Sequence, residues 1–544
     1  MPSLRSLMGS SLLIGDNTVP GASLPEELKK QLPKIFQGVR DYGCDFYPAV
    51  VEVLRDDEIS EIAAYYGFPV RYPHWKFGME YEELQRGYDI GSRRIAELVI
   101  NTNPCYIYCL SSNTFVDNVM VVAHALGHND FFKNNVYFSH TDTNMMNKMA
   151  NNGMRIRKYM ARWGKERVME FIDHVLRLEN LIDPAKTKQT HKKKTEFKDK
   201  RRYHNARRLK VDEERDYMED WINTEAWKKK EQERIKKAEI AEQLELFTSP
   251  SRDILGYLRD NAPLKQWQAD IIAMLHEEAE YFSPQIRTKM MNEGWASKVD
   301  YEVLACNGMA ALGQEGEDCG IVEYAKARMM VMGGKYSLNP YKLGFQIFQD
   351  IEDRWNKGRF GEEYESCDNL KEREDWDKEL GLGKEKIFEV RKCYDDFMAI
   401  SEFFTEDFCN ENEFFEWEKT PKGEYVIVSK DYQQIKKKLL KSYLNGGQPH
   451  IRLVDPNHRG RGTFLLEHTW DGRPLHEPYA RAVMVSICNI WKNSVLLSTR
   501  DGDNQEIVYI CDDPKSEDNV RVMSRDEYEN KWAEPNVSRF IANT

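Results

Sequence analysis

His124 and His128 stand four residues apart in the apolar run that follows Asn113, so on a helix they project from one face, one turn apart. Two imidazoles placed this way can chelate one metal ion. Zinc metalloproteases use the same spacing in H-E-x-x-H, where the helix supplies two nitrogen ligands and the intervening glutamate activates a water. Here the run is His124-Ala125-Leu126-Gly127-His128, and the glutamate is absent. Asp117, seven residues before His124, would help hold an imidazole only through a helix bend or a water. A third ligand has to come from elsewhere, and the best candidate is Glu293 in Met291-Asn292-Glu293-Gly294-Trp295-Ala296, with Asp300 seven residues further along the same face. Two such helices facing each other would make a nitrogen and oxygen site for one divalent metal, suited to zinc first and also to manganese or iron. Hydrolysis is its default chemistry: a water acidified by the metal attacks an amide, and Glu293 or Asp300 shuttles the proton if it is not a ligand. The alanine at 125 counts against ordinary peptidase action.

Ordinary roles compete for the same residues. Histidines near a helix end often bond backbone carbonyls or a neighbouring carboxylate, and Glu293 can pair with Lys289 four residues earlier as a helix salt bridge. His276-Glu277-Glu278-Ala279-Glu280 is a second acidic and imidazole cluster, but Lys265, Arg287 and Lys289 nearby favour a solvated or ion-paired helix. No phosphate loop, dinucleotide fingerprint or nucleophile elbow occurs. Arg459-Gly460-Arg461-Gly462 sits between two expected strands, where a tight turn is favoured over a phosphate or nucleic-acid contact.

The elements that must position these groups follow from the rest of the chain. Its 544 residues, 41% hydrophobic and 12% aromatic, suffice for one large or several ordinary packed domains. A net charge of -12 argues against coating nucleic acid, and the absence of any long apolar run excludes a helical membrane span. Met1 to Gly15 makes a poor secretory signal, so a cytoplasmic protein is expected. The ten cysteines form no C-x-x-C pair and read as reduced, buried thiols.

Residues 1–23 read as a loose N-terminus. Residues 24–182 form a first helical half, with helical spacing in Leu28 to Val39, Val50 to Tyr66 and Met79 to Ile100, a buried strand at Pro104 to Leu110, and Asn113 as N-cap of the histidine run. Residues 183–250 are a charged linker or insertion, read as a solvated helical excursion or an arm for an acidic partner. Residues 251–410 form a second helical half, with Asn339-Pro340 opening its Tyr341 to Trp355 helix. In residues 411–544 the order is strand, helix, strand, strand, helix, strand, which predicts a C-terminal α+β domain of ferredoxin-like arrangement, with Glu506 to Cys511 as an added edge strand. The fold class is thus mainly α, two helical halves forming one large domain, followed by that α+β domain.

Taken together, His124-Ala-Leu-Gly-His128-Asn-Asp-Phe-Phe-Lys-Asn-Asn135, Tyr281-Phe-Ser-Pro-Gln285, Asn292-Glu-Gly-Trp-Ala-Ser297, and Leu338-Asn-Pro-Tyr-Lys-Leu-Gly-Phe345 with Phe348-Gln-Asp-Ile351 resemble the SpoVR family, the stage V sporulation protein R group. The resemblance runs from about Leu28 to about Trp355 and is looser beyond. It implies a cytoplasmic protein of spore cortex formation in sporulating bacteria, or of stress physiology elsewhere. It also implies two partners, a PrkA-type serine kinase and a von Willebrand factor A-like protein. The histidine pair with N-E-G-W-A looks distantly zincin-like, which strengthens the metal reading of His124, His128, Glu293 and Asp300. Where the family usually places a histidine after N-E-G-W-A-S, this chain has Asp300, and the stretch before L-N-P-Y is shortened to Gly333-Gly-Lys-Tyr-Ser337. A metal-dependent hydrolase is one expectation, and a noncatalytic regulatory protein acting with that kinase is the other.

Overall fold

Phe115–Asn134 is a helix with no polar face: every residue from Asn118 to Phe132 is buried, as the all-round apolar composition requires. Its N-cap is Thr114 rather than the expected Asn113, and Asp117 closes a capping box with that threonine. Asp117 is therefore spent on the helix start and does not support an imidazole. The structure, a computed structural model, describes residues 18–20, 24–89, 97–183, 252–306, 320–333, 339–420 and 424–532. The charged linker, apart from Asp183, lies outside the described residues.

The chain divides into two units, Met1–Gly164 with Tyr281–Gly447, and Lys165–Glu280 with Gln448–Thr544. The first unit contains a four-stranded sheet in the order β1-β2-β4-β3, formed by β1 (Thr18–Pro20), β2 (Ala49–Leu54), β3 (Glu97–Ile100) and β4 (Cys105–Leu110). β1, β2 and β4 run parallel, while β3 pairs antiparallel with β4 at the edge, Glu97 opposite Cys109 and Ile100 opposite Tyr106. The strand expected at Pro104 to Leu110 is β4. Two expected helices are corrected. Val50 to Tyr66 is β2 followed by a helix at Asp56–Ala64, and Met79 to Ile100 ends in strand β3. In Ala49-Val-Val-Glu-Val-Leu54 the β-branched residues favour the pleated backbone, and the next helix begins only where Glu58 can bond the Arg55 N–H. The loose N-terminus is corrected at Thr18–Pro20, which adds a strand to the sheet.

Three helices of this unit meet at glycines. A Cβ on Gly127 of the histidine helix would lie 2.7 Å from the Ala296 Cα of the glutamate helix, Lys289–Asp300. A Cβ on Gly294 would lie 2.3 Å from the Gly344 carbonyl carbon of the next helix, Pro340–Lys357, which Asn339 caps as expected. Helix backbones in such contact place the side chains one residue away with little freedom. Two buried carboxylates fix the arrangement. Asp396 accepts the Met290 and Met291 N–H groups at 2.9 Å each, capping the glutamate helix from another part of the chain. Asp130 of the histidine helix accepts the Trp295 indole N–H at 2.8 Å and the Asp45 N–H at 2.7 Å.

The second unit holds a five-stranded sheet in the order β11-β10-β9-β8-β7, where β7 is Ile451–His458, β8 Thr463–His468, β9 Val495–Arg500, β10 Glu506–Cys511 and β11 Arg521–Ser524. β8 and β9 are parallel and joined by the helix Glu477–Trp491, and the other pairings are antiparallel. The α+β character is as expected, but the ferredoxin-like order is corrected. Its intended first strand, β6 (Tyr425–Ser429), pairs instead with β5 (Glu416–Lys419) in a separate hairpin of the first unit. Glu506–Cys511 is not an edge, since β11 covers it. Arg459 to Gly462 forms the turn between β7 and β8, with Arg459, Gly460 and Gly462 at positive φ. His276 is hydrogen-bonded within the second unit, its Nε2 2.8 Å from Asp253 Oδ1. No helix among the described residues is long and apolar enough to cross a membrane.

Candidate metal centre

The histidine and glutamate helices bring His124, His128 and Glu293 together, and β3 adds Glu97. One ligand atom from each of these four residues lies within 4.8 Å of the others. His124 Nε2 is 3.3 Å from Glu97 Oε1 and 3.6 Å from Glu293 Oε2. His128 Nε2 is 3.7 Å from Glu97 Oε1 and 3.3 Å from Glu293 Oε2. The Oε2 atoms of Glu97 and Glu293 are buried and take no hydrogen bond of good geometry.

The outer nitrogens explain how the rings are aimed. His124 Nδ1 donates to Asp300 Oδ2 at 2.8 Å, and His128 Nδ1 donates to the Asn292 side-chain oxygen at 2.9 Å. With the proton on each Nδ1, both Nε2 lone pairs turn toward the two glutamates, the arrangement that metal-ligating histidines adopt. Asp300 is itself held, its Oδ1 accepting from the Tyr324 hydroxyl at 2.6 Å and from Arg328 at 2.9 Å. The Arg328 guanidinium stacks on Tyr301 and Phe345, 4.8 and 4.3 Å from their ring centres. Tyr341 lies nearly parallel to His124, with ring centres 6.3 Å apart.

Without a cation the site draws protons. Burial disfavours a charged His124, but Glu97, Asp300 and Glu293 outweigh it and hold the ring well above the usual histidine range. At His128 burial acts the same way, and Glu293 with Glu97 prevails, pushing it up to about 9. Burial would raise Glu293, yet the two imidazoles hold it well below the usual carboxylate range. Two carboxylates with two neutral imidazoles carry a charge that one divalent cation would balance, and the unbonded Oε2 atoms are acceptors that such a cation would satisfy. The donor set fits zinc, manganese or iron.

The structure thus places three of the four sequence-selected residues at the centre itself, while Asp300 sits one layer out, behind His124. The Glu293 side chain faces the histidines rather than outward. Glu97 is hidden in the sequence because the helical spacing of Met79 to Ile100 masks β3; its signal, a carboxylate on a four-residue strand, becomes meaningful only once β3 is paired with β4.

The same helices carry the stretches that resemble the SpoVR family, and comparison with known proteins supports that resemblance. The family described as SpoVR like protein matches residues 23–448, and its companion, the SpoVR-like C-terminal domain, matches residues 449–502. The chain belongs to the SpoVR family. It is also similar to the uncharacterized protein YcgB of Escherichia coli (strain K12), 27% identical over 505 residues that cover 88% of this chain and 93% of that protein. No solved structure matches significantly. Within the matched range, Gly127, Asp130, Asn292, Glu293, Gly294, Trp295, Tyr341 and Gly344 all serve either the four-residue cluster or the helix contacts that hold it.

Proposed function

We propose that this SpoVR-family protein binds one divalent metal ion, zinc first, at His124, His128, Glu293 and Glu97, and that the centre serves a hydrolytic reaction. The observation that carries this is the paired outer support of the histidines: Asp300 and Asn292 hold both Nδ1 atoms, so both Nε2 atoms converge with two carboxylates. An ion bound there would supply Lewis-acid polarisation of a scissile carbonyl. The chain's own contribution is orientation. Glu293 is fixed by a helix in backbone contact with two others, and Asp300 keeps His124 in one tautomer through its own bonds to Tyr324 and Arg328. The zincin-like reading draws support from a helix with two histidines one turn apart near a sheet whose edge strand runs antiparallel. A role in cortex formation or stress physiology, beside a PrkA-type kinase and a von Willebrand factor A-like protein, rests on family membership alone.

Elemental mass spectrometry of the purified protein tests the centre, with wild type beside His128→Ala and Glu293→Ala. Near-stoichiometric metal in the wild type, lost in both variants, is the expected result. Wild-type protein free of metal, prepared without chelators and with zinc supplied, would end the enzyme reading and leave a noncatalytic regulatory protein.

A further inference from the structure

The H-E-x-x-H pattern places its proton acceptor on the histidine helix, and this chain has Ala125 there, buried and inert. We infer that Glu97 takes over that task from the edge strand, as an exchangeable fourth group beside a fixed triad of His124, His128 and Glu293. The inference rests on the metal reading above and deepens it.

The four groups differ in how firmly they are held. His124 and His128 are tied through Nδ1 to Asp300 and Asn292. Glu293 stands on a helix whose backbone meets Gly127 on one side and Gly344 on the other, and whose first turn Asp396 clamps. Among the described residues, Glu97 has none of these supports. It stands on the four-residue strand Glu97–Ile100, which among the described residues is bonded only to β4, and a one-sided strand is the kind of backbone that opens at low cost. Its side chain is 20% exposed against 15% for Glu293.

Two histidines and one carboxylate already make a complete three-ligand set of the kind catalytic zinc sites use, with a position left open. A fourth fixed carboxylate would close the site and make it structural. A fourth mobile one leaves it open and puts a base beside it. When an amide is cleaved, Glu97 accepts one proton from the attacking water as the water oxygen bonds to the carbonyl carbon. It then delivers that proton to the departing nitrogen as the C–N bond breaks. No oxidant or further reactant is needed.

The experiment uses the full chain loaded with Mn2+ or Zn2+, comparing wild type, Glu97→Gln, Glu97→Ala and Glu293→Ala. Metal content is measured by elemental analysis, and solvent access to the ion by water-proton relaxation of the Mn2+ form. Both Glu97 variants are expected to retain stoichiometric metal, with relaxation in Glu97→Ala equal to or above wild type, while Glu293→Ala loses the ion. Loss of metal from both Glu97 variants as complete as from Glu293→Ala would overturn the assignment and make Glu97 a fixed ligand of a closed site. Metal absent from the wild type as well would defeat the metal reading itself. Thermal melts of the metal-free variants separate a folding failure from a ligand effect, and Glu97→Gln, which keeps the side-chain shape, is the variant that decides if Glu97→Ala proves unstable.

Discussion

The far nitrogens of two histidines fix how both rings are aimed. Asp300 matters because its two oxygens do different jobs, one taking the His124 Nδ1 proton and the other holding Tyr324 and Arg328. Asp300→Asn keeps the size but removes the charge that Arg328 and His124 share, so metal affinity should fall about 10- to 100-fold while the protein stays folded. Competition with a chromophoric chelator measures this, and affinity equal to wild type would mean that His124 needs no such support. At this scale the sequence was informative where spacing carried the information. His124 and His128 at one turn, and Glu293 with Asp300 at two, could be read directly because a helix converts sequence distance into direction. Glu97 could not, since its place depends on strand register across a sheet formed by residues far along the chain. Asp117 shared a face with His124 yet was claimed by the stronger local demand of an uncapped helix end.

Helix contacts through glycine set the precision of the centre. Gly127→Ala would put a methyl group 2.7 Å from the Ala296 Cα, which forces the histidine and glutamate helices apart; a loss of about 1–3 kcal/mol is expected, with weakened metal binding. Gly78 is the control. It lies at an exposed position of the helix Trp75–Asp89, where an added Cβ meets nothing within 4 Å, so Gly78→Ala should stabilise by about 0.4–1 kcal/mol through the unfolded chain. Chemical denaturation of both variants checks the pair, and equal effects would mean that the helix contact is more yielding than its geometry suggests. The clamp at the start of the glutamate helix adds a pH dependence. Burial, with Asp395 and Glu293 nearby, pushes Asp396 up to about 8, against the two N–H donors that pull it down. An acid whose folded value lies above its unfolded value of about 3.9 takes up a proton on folding, so its stabilisation is full below about pH 4 and is lost as pH rises through about 8. Asp396→Asn should therefore flatten that fall in a pH series of denaturation curves, and an unchanged slope would show that Asp396 stays ionised. Helices such as Glu26–Tyr42 and Pro340–Lys357 are legible as elements because their period repeats, whereas β2 and β3 are hidden in helical spacing because short strands of mixed spacing satisfy both templates.

On the scale of the whole molecule, neighbours in the chain are poor guides to neighbours in the fold. Tyr425–Ser429 looked like the first strand of the C-terminal domain because it precedes a helix and a strand at the right distances, yet it pairs with Glu416–Lys419 in the other unit. Sequence order constrains which strands exist, while hydrogen-bond partners are chosen by long-range packing that order does not encode. The same division makes a thermodynamic statement, because every residue of the candidate metal centre lies in the first unit, in Met1–Gly164 and Tyr281–Gly447. An ion that binds only the folded state stabilises it by an amount set by its concentration over its dissociation constant, about 2.7 kcal/mol at a hundredfold excess. In calorimetry of the full chain, zinc should thus raise the transition belonging to the first unit and leave that of the second where it was, with the shift absent in His128→Ala. A single transition moving as a whole would show that the two units unfold together, so that an ion held within one unit stabilises the entire chain.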